Sequence, residues 1–360
     1  MSDSTDSPTE VFPEPTIDEL ADAVRPADAP VDAWRDEALE AIAQLSEPQR
    51  EVHPSLLLTF VSMLCFYLAF GLFISWVSAP FIVLIVLIHE LGHYVAMKAF
   101  GYRDLQLIFF PLFGAAVMGR KPEATQTQRA IVALAGPTPG LLVASGFAIM
   151  ALRGWIDMPA ALGQNVVKWT VIINGFNLVP LEPLDGGHFF NAMVYSRRPW
   201  IETACKAVSA AIFAYLAVTV SMVFGLIAVA IAMSLRIKHN IALLSRRLRA
   251  TGLNTDPSLD DMHIERLLKA YILARDLAPH DPTASLELNV RYRTGLLQRA
   301  YPGALARPAA PVGVAALLLA YVLVVGAGLG AWREYELTLE RLKEAEDGIP
   351  VQIFKQTSDR

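Results

Sequence analysis

The chain has 360 residues, of which 54% are hydrophobic and 18% charged, with a formal net charge of −5. Several apolar runs reach about 20 residues, the length that crosses the hydrocarbon core of a bilayer. The composition therefore excludes an ordinary soluble protein and indicates a polytopic membrane protein. The two cysteines, Cys65 and Cys205, favour neither a disulfide framework nor a cysteine-ligated zinc site, so any metal ion must be held by histidine and carboxylate.

The N-terminal segment, residues 1–54, is acidic. It holds 14 acidic and three basic side chains, so the rest of the chain is net positive by six. It lacks the basic start and short apolar core of a secretory signal, which predicts a cytosolic N-terminus. Its proline-rich, acidic first thirty residues offer little apolar surface, which predicts a disordered tail. Residues 31–46 follow with helical spacing of apolar side chains, which fits either an amphipathic helix beside the membrane or a plain solvated helix.

Apolar runs predict transmembrane helices at residues 56–77, at 80–100, at about 130–152, from about 166 into the 180s, and at 310–332. Residues 207–235 hold 29 consecutive uncharged side chains, which would measure ~43 Å as one helix. We favour a hairpin that turns near Met222 to Gly225, and a single tilted span is the alternative. The predicted fold class is therefore an all-α polytopic membrane protein with six or seven transmembrane helices.

Basic clusters follow the second span, the fourth span and the 207–235 run, and short cytoplasmic loops carry such an excess of lysine and arginine. With the hairpin, residues 239–309 form a cytosolic, soluble helical insert; with a single span they lie on the opposite side. The predicted domains are the tail at 1–54, a membrane-embedded core at 55–238, that insert, a final transmembrane helix at 310–332 and a charged tail at 333–360.

The second span contains "HELGH". On a helix, His89 and His93 project from one face one turn apart, the geometry in which two imidazoles bind one metal ion. Glu90 can then reach a water at the metal and act as general base. The alternative is a pair of buried, hydrogen-bonded histidines. An ionisable glutamate inside hydrocarbon costs at least ~2.5 kcal/mol on insertion scales, so it must face a polar, partnered interior.

Two histidines leave a catalytic zinc site short of a third protein ligand. Asp185 lies in "NGFNLVPLEPLDGGHFF", an apolar stretch broken by prolines and glycines, and broken backbone at membrane depth occurs inside protein or beside a water-filled cavity. Asp185 is therefore the predicted third ligand, with capping of a helix or turn as the alternative. Asn174 and Asn177 are candidate donors to the substrate backbone or to the metal's surroundings.

"HELGH" on one span together with "NLVPLEPLDGG" on a later one resembles the site-2 protease family of intramembrane zinc metallopeptidases. The resemblance covers about residues 80–190. It implies one zinc ion per chain, held by His89, His93 and Asp185, with Glu90 as the catalytic base, and cleavage of transmembrane substrates near the cytosolic side. It also implies a short membrane-associated β-rich segment within residues 101–128, whose exposed edge would pair with an unwound substrate. An ordinary interfacial loop is the alternative there.

The sequence departs from the family pattern at two positions. The third span carries "AGPTPG", with Gly140 where the family usually has an asparagine, so a polar contact to the site is expected to be missing. Glu182 adds a charge three residues before Asp185, where it would face the cytosol, bias the choice of substrate or compete for the metal. Neither departure touches a predicted ligand or the base.

The predicted function is hydrolysis of peptide bonds in transmembrane proteins by a zinc-activated water, with Glu90 as general base. The alternative is a non-proteolytic metal-binding protein or a metal transporter, which would have no specific need for a glutamate beside the first histidine. The expected partners are a transmembrane protein substrate and the lipid bilayer, with no nucleic acid. The expected location is a bacterial cytoplasmic membrane.

Overall fold

The computed structural model describes residues 16–46, 54–152, 160–278 and 280–346. These residues divide into two compact units. The helical unit comprises the described residues up to 46 together with Asn240–Leu305. The membrane unit comprises the described residues from 54 to 239 and from 306 onward. The parts of the two predicted tails at residues 1–15 and 347–360 lie outside the described residues.

The helical unit is built from α1 (Ile17–Ala23), α2 (Val31–Ser46), the end of α10 (Val223–Ala250), α11 (Ile264–Leu277) and α12 (Leu286–Leu305). A capping box between Thr16 and Glu19 starts α1, satisfying two backbone N–H groups. The indole Nε1 of fully buried Trp34 donates to the Ala21 carbonyl oxygen at 2.8 Å, which joins α2 to α1. Residues 17–23 therefore differ from the disorder predicted for the first thirty residues, because their apolar face is buried in a shared core.

One hydrophobic core joins the N-terminal helices to the insert. Its members include Trp34, Leu45, Leu244, Tyr271 and Leu297. The sequence placed residues 1–54 and 239–309 in separate domains, whereas the structure packs the described part of the first against the second. Helical spacing shows that α2 has an apolar face, but it does not reveal what covers that face.

A buried ionic network lies inside the helical unit. The Glu37 carboxylate accepts hydrogen bonds from the Tyr271 hydroxyl at 2.8 Å and from the Arg293 guanidinium. Arg293 also donates through Nε to the Ala278 carbonyl oxygen at 3.0 Å, and the Arg275 Nε lies 3.5 Å from Glu37. Burial, followed by the nearby Glu37 carboxylate, raises the pKa of the Tyr271 hydroxyl, so Tyr271 stays a donor at neutral pH.

The membrane unit contains the elements α3 (Leu56–Phe73), α4 (Ala79–Ala99), β1 (Arg103–Phe110), β2 (Gly114–Arg120), α5 (Gln126–Ala135), α6 (Pro137–Leu152), α7 (Ala160–Asn177), α8 (Asp185–Met193), α9 (Pro199–Thr219), the first part of α10, and α13 (Pro311–Glu346). Five helices among the described residues are long and apolar enough to cross a membrane: α3, α4, α9, α10 and residues Pro311–Leu337 of α13. The mostly helical membrane fold is confirmed. The predicted third and fourth spans correspond to α5–α6 and α7, which are not among those five described helices.

The ambiguous 207–235 run forms two helices. Helix α9 ends at Thr219, and α10 begins at Val223 after a turn at residues 220–222. Phe213 of α9 packs with Ala228 and Ile231 of α10. The ring of Phe213 also contacts the ring of Phe224 near the start of α10, so the two helices pack together as a hairpin. The hairpin reading is thus the observed one, with its turn slightly earlier than predicted.

The segment after α4 forms a two-stranded antiparallel sheet, as the resemblance implied. Leu107 pairs in register with Val117, and Phe110 with Gly114. The outer edge of β1 is covered by α3, because Thr59 Oγ1 donates to the Leu107 carbonyl oxygen at 2.8 Å and Ser62 Oγ accepts from the Phe109 N–H at 3.2 Å. The backbone groups of Leu107 thus point away from β2, so those of its partner Val117 face the opposite, outer edge of β2.

Candidate active site

Helix α4 presents three buried polar side chains, His89, Glu90 and His93, in an otherwise apolar helix. The glycine between them allows close packing: a Cβ at Gly92 would lie 2.1 Å from the Ala135 carbonyl oxygen. A Cβ at Gly136 would lie 2.2 Å from His93 Nε2. Both glycines therefore let the α5–α6 junction approach the histidine face of α4 more closely than any side chain would permit.

The outer nitrogens of both imidazoles are held by acceptors. His93 Nδ1 lies 2.7 Å from the Val132 carbonyl oxygen, which can only accept. His89 Nδ1 lies 2.8 Å from Asn174 Oδ1. The Asn174 amide is oriented by its own Nδ2, which donates to the Thr170 carbonyl oxygen at 2.8 Å. Both Nδ1 atoms are therefore donors, so a neutral imidazole has its lone pair on Nε2 in each case.

The two Nε2 atoms converge with the carboxylate of Asp185, the first residue of α8. The Nε2 atoms are 3.2 Å apart, and Asp185 approaches His89 Nε2 at 2.9 Å and His93 Nε2 at 3.3 Å. Ligand atoms about 2.0–2.1 Å from a tetrahedral zinc ion lie about 3.3–3.4 Å from one another. Two imidazole lone pairs and one carboxylate at this spacing can serve as three ligands of a zinc ion. All three groups are acceptors of hydrogen bonds, so a bound cation would stabilise their close approach.

Glu90 lies beside this cluster. The backbone N–H of Val117 in β2 lies near its carboxylate. One ligand atom from each of His89, Glu90 and His93 lies within 4.8 Å of the other two, so the glutamate is close enough to share a water with the cluster. The contact with Val117 places the outer edge of β2 next to the site.

The structure gives the two predicted asparagines different surroundings. Asn174 is fully buried, and its amide contacts His89 and Thr170. Asn177, partly buried, donates to the Ile173 carbonyl oxygen of its own helix at 3.1 Å. Of the two uses predicted for Asn174, the structure therefore favours a contact with His89, a candidate metal ligand, over one with the substrate backbone.

Gly140 explains how the first departure is accommodated. A Cβ at this position would lie 2.5 Å from Asn174 Nδ2 and 2.9 Å from Asn174 Oδ1. The amide of Asn174 thus fills the space that a side chain at position 140 would need. The polar contact expected to be missing is supplied from α7 instead of α6.

Glu182, the second departure, faces away from the histidines. Its carboxylate lies 3.7 Å from Lys206 Nζ and 3.3 Å from Lys238 Nζ, and it accepts from Asn191 Nδ2 at 3.0 Å. The sequence associates the basic residues after the fourth span, Lys206 among them, only with topology and does not predict these contacts. The available signal was a lysine at the start of a long uncharged run.

The match to a family model covers the segment around "HELGH". Residues 78–168 match the sequence model of Peptidase family M50. The resemblance to site-2 proteases is confirmed for this segment. A zinc metalloprotease of Methanocaldococcus jannaschii is 26% identical over 121 residues, covering 33% of this chain and 34% of the relative. A candidate zinc metalloprotease of Synechocystis sp. is 33% identical over 114 residues, covering 31% of this chain and 29% of the relative. The chain thus matches about a third of the length of each of these relatives.

Proposed function

We propose that the protein is an intramembrane zinc metalloprotease that hydrolyses peptide bonds of transmembrane substrates. The observation that carries the proposal is the convergence of two imidazole lone pairs and one carboxylate beside a buried glutamate. The predicted zinc cofactor and metalloprotease class are supported by the matched family and by the names of both relatives. In this proposal His89, His93 and Asp185 hold one zinc ion.

Bound zinc supplies Lewis-acid polarisation of the scissile carbonyl and makes water more acidic. Glu90 accepts a proton from the attacking water and delivers it to the leaving amine as the peptide bond breaks. The backbone N–H of Val117 is close enough to the Glu90 carboxylate to help hold it beside the two histidines. Asn174 and the Val132 carbonyl hold the two imidazoles so that both Nε2 atoms face the reaction centre.

The substrate is proposed to add as a strand to the outer edge of β2. That edge is the one at which Val117 contacts Glu90, whereas the outer edge of β1 is covered by α3. A transmembrane helix must unwind locally before its backbone can pair in this way, so helix-breaking residues in the substrate favour cleavage. Strand addition would bring the scissile bond beside the general base.

Arg198, which precedes α9, and the basic residues Arg236 and Lys238 of α10 lie at the same end of the α9–α10 hairpin, because the two helices are antiparallel. We infer by the positive-inside tendency that this end is cytosolic, as are the helical unit and the N-terminus, in a bacterial cytoplasmic membrane.

The test is cleavage of a membrane-spanning reporter in reconstituted vesicles by wild type and Glu90→Gln at equal zinc content. The amide is isosteric and cannot accept the proton, so we expect cleavage to fall by ~10² to 10⁴ with zinc retained. Equal cleavage by both proteins would contradict the role of Glu90. Absence of cleavage by either, across reporters with varied helix breakers, would favour a metal-binding or transport role.

A further inference from the structure

The turn that joins α7 to α8 carries Asp185 and is packed closely on itself. A Cβ at Gly186 would lie 2.1 Å from the Leu178 carbonyl oxygen, and a Cβ at Gly187 would lie 2.5 Å from the Glu182 nitrogen. The backbone of Glu182 therefore rests directly on the first turn of α8. A displacement of Glu182 must be transmitted to Asp185, because protein packed at this distance has no space to absorb it.

Glu182 connects this turn to both helices of the α9–α10 hairpin through hydrogen bonds and ion pairs. Its backbone N–H donates to Ser209 Oγ in α9 at 3.2 Å. Its carboxylate pairs with Lys206 of α9 and Lys238 of α10 at the distances given above. Asn191 of α8 donates to the same carboxylate, so one side chain joins three helices around the turn.

The carboxylate is buried together with the Lys206 ammonium, whose side chain is 6% exposed. Burying two charges costs several kcal/mol per ion before their attraction is counted, and a well-packed apolar pair in the same place is often as stable or more so. The ion pair therefore has no evident advantage for stability alone. What it adds over an apolar contact is a fixed direction, because charged hydrogen bonds hold their partners in one geometry.

We propose that Glu182 is a positioning residue. Its contacts with α9 and α10 hold the turn between α7 and α8, and this turn sets the position of Asp185 in the zinc site. The inference rests on the zinc site of the proposed function. It replaces the three uses predicted for Glu182 from the sequence. Its oxygens are engaged by Lys206, Lys238 and Asn191, so they neither compete for the metal nor contact a substrate.

The test measures the zinc dissociation constant of the detergent-purified full-length chain by competition with a chelator. Glu182→Gln keeps the volume and the acceptor for Asn191 but removes the charge that holds both lysines, and we expect zinc to bind about tenfold more weakly. Glu202→Gln is the matched control. Glu202 pairs with the same Lys206, from within α9, but does not belong to the turn. We expect its zinc affinity to match wild type.

Lys238→Met is a second variant, chosen because the Lys238 side chain is 41% exposed and its loss threatens folding little. We expect a smaller fall in zinc affinity than for Glu182→Gln, since Lys206 remains.

Wild-type affinity in a folded Glu182→Gln protein would overturn the positioning role and leave the proposed function standing. If Glu182→Gln does not fold, wild-type affinity in Lys238→Met overturns it. An equal fall in Glu202→Gln would also overturn it, by assigning the effect to Lys206. Absence of zinc binding by wild type would overturn both proposals.

Discussion

Two buried clusters of polar side chains, one in each unit, differ in how their donors and acceptors are arranged. In the helical unit, the acceptor Glu37 is met by the donors Tyr271 and Arg293. In the membrane unit, the Nε2 atoms of His89 and His93 point at each other and at the Asp185 carboxylate. In the first cluster, donors meet the carboxylate acceptor. The second brings acceptors together, because the N–H groups of both rings are already used elsewhere.

The difference supports the proposal that the first cluster is structural and the second binds a metal ion. Burial alone does not separate them, since both clusters contain side chains that are almost inaccessible to water. The decisive feature is the direction of the hydrogen bonds at the far nitrogens of the imidazoles. A closed network stabilises a fold, whereas converging lone pairs require a cation. Variants in the two clusters should therefore affect different properties of the protein.

The largest effect is expected for Asp185→Ala. The substitution removes one of three proposed ligands, and two imidazoles cannot complete a zinc site alone. Removing a group that only supports a ligand typically weakens metal binding by up to about 100-fold, so we expect zinc affinity to fall by more than that. Metal analysis of the purified protein would measure the bound zinc. Hydrogen exchange in the helical unit should be unchanged. Full zinc content in Asp185→Ala would transfer the third ligand to Glu90, which also lies close to both histidines.

An effect on a different property is expected for Arg293→Met. Arg293 is 2% exposed, and its loss leaves the buried Glu37 carboxylate short of its closest cation, so the free energy of unfolding of the helical unit should fall by about 3–5 kcal/mol. Hydrogen exchange of the amides in α11 and α12 would measure this, and zinc affinity should stay at the wild-type value.

Arg291→Met is the matched control for that variant. Arg291 lies on the same helix but forms an exposed pair with Glu287, so its loss should change the free energy of unfolding by no more than about 0.5 kcal/mol. Adding Glu37→Leu to Arg293→Met should recover part of the lost stability, because no buried charge then remains unpaired. Equal effects of Arg291→Met and Arg293→Met would show that burial of the network contributes nothing.

The sequence predicts those features of the fold that depend on local pattern. Runs of apolar residues locate α3, α4 and α13, and the length of the uncharged run at 207–235 is sufficient to pose the question of a hairpin. The grouping of α1 and α2 with residues 240–305 is not predictable in the same way. It depends on tertiary contacts such as Trp34 with Ala21 and Glu37 with Arg293, the latter 256 residues apart in the chain.

The candidate site divides similarly. His89 and His93 are predictable from helical periodicity, and Asp185 from the rarity of a carboxylate in a broken apolar stretch. The partners that orient them are not. The Val132 acceptor is a backbone carbonyl, which no side-chain pattern marks. The Asn174 amide of α7 occupies the space that a side chain at position 140 of α6 would need. This exchange cannot be predicted from the sequence, because it depends on how α6 and α7 pack and neither position has an unusual sequence context of its own.

That exchange yields a smaller expected effect on zinc affinity than the loss of Asp185, and the sharpest test of the donor pattern at the candidate metal site. Asn174→Ala removes the acceptor of the His89 Nδ1–H group, and loss of such a partner typically weakens metal binding 10–100-fold, or by about 1.4–2.7 kcal/mol. The space released is the space that a side chain at position 140 would occupy. Adding Gly140→Asn to Asn174→Ala should therefore return an amide to His89 and recover most of the zinc affinity.

Gly140→Asn alone should weaken zinc binding, since its Cβ would lie 2.5 Å from Asn174 Nδ2 and would displace the amide that holds His89. Thr138→Val serves as the control, because the Thr138 hydroxyl donates to the Leu134 carbonyl oxygen, just before α6, and is not part of the His89 contact. A chelator competition assay would give the zinc affinities of the four variants.

If Asn174 acted only in packing, Asn174→Ala would lower the melting temperature of the zinc-free protein while its zinc affinity stayed unchanged. The double variant would then bind zinc no better than Asn174→Ala alone. Recovery of zinc affinity in the double variant above that of Asn174→Ala is the result expected when an amide again contacts His89 Nδ1, and the non-additivity of the two substitutions measures the coupling between positions 140 and 174.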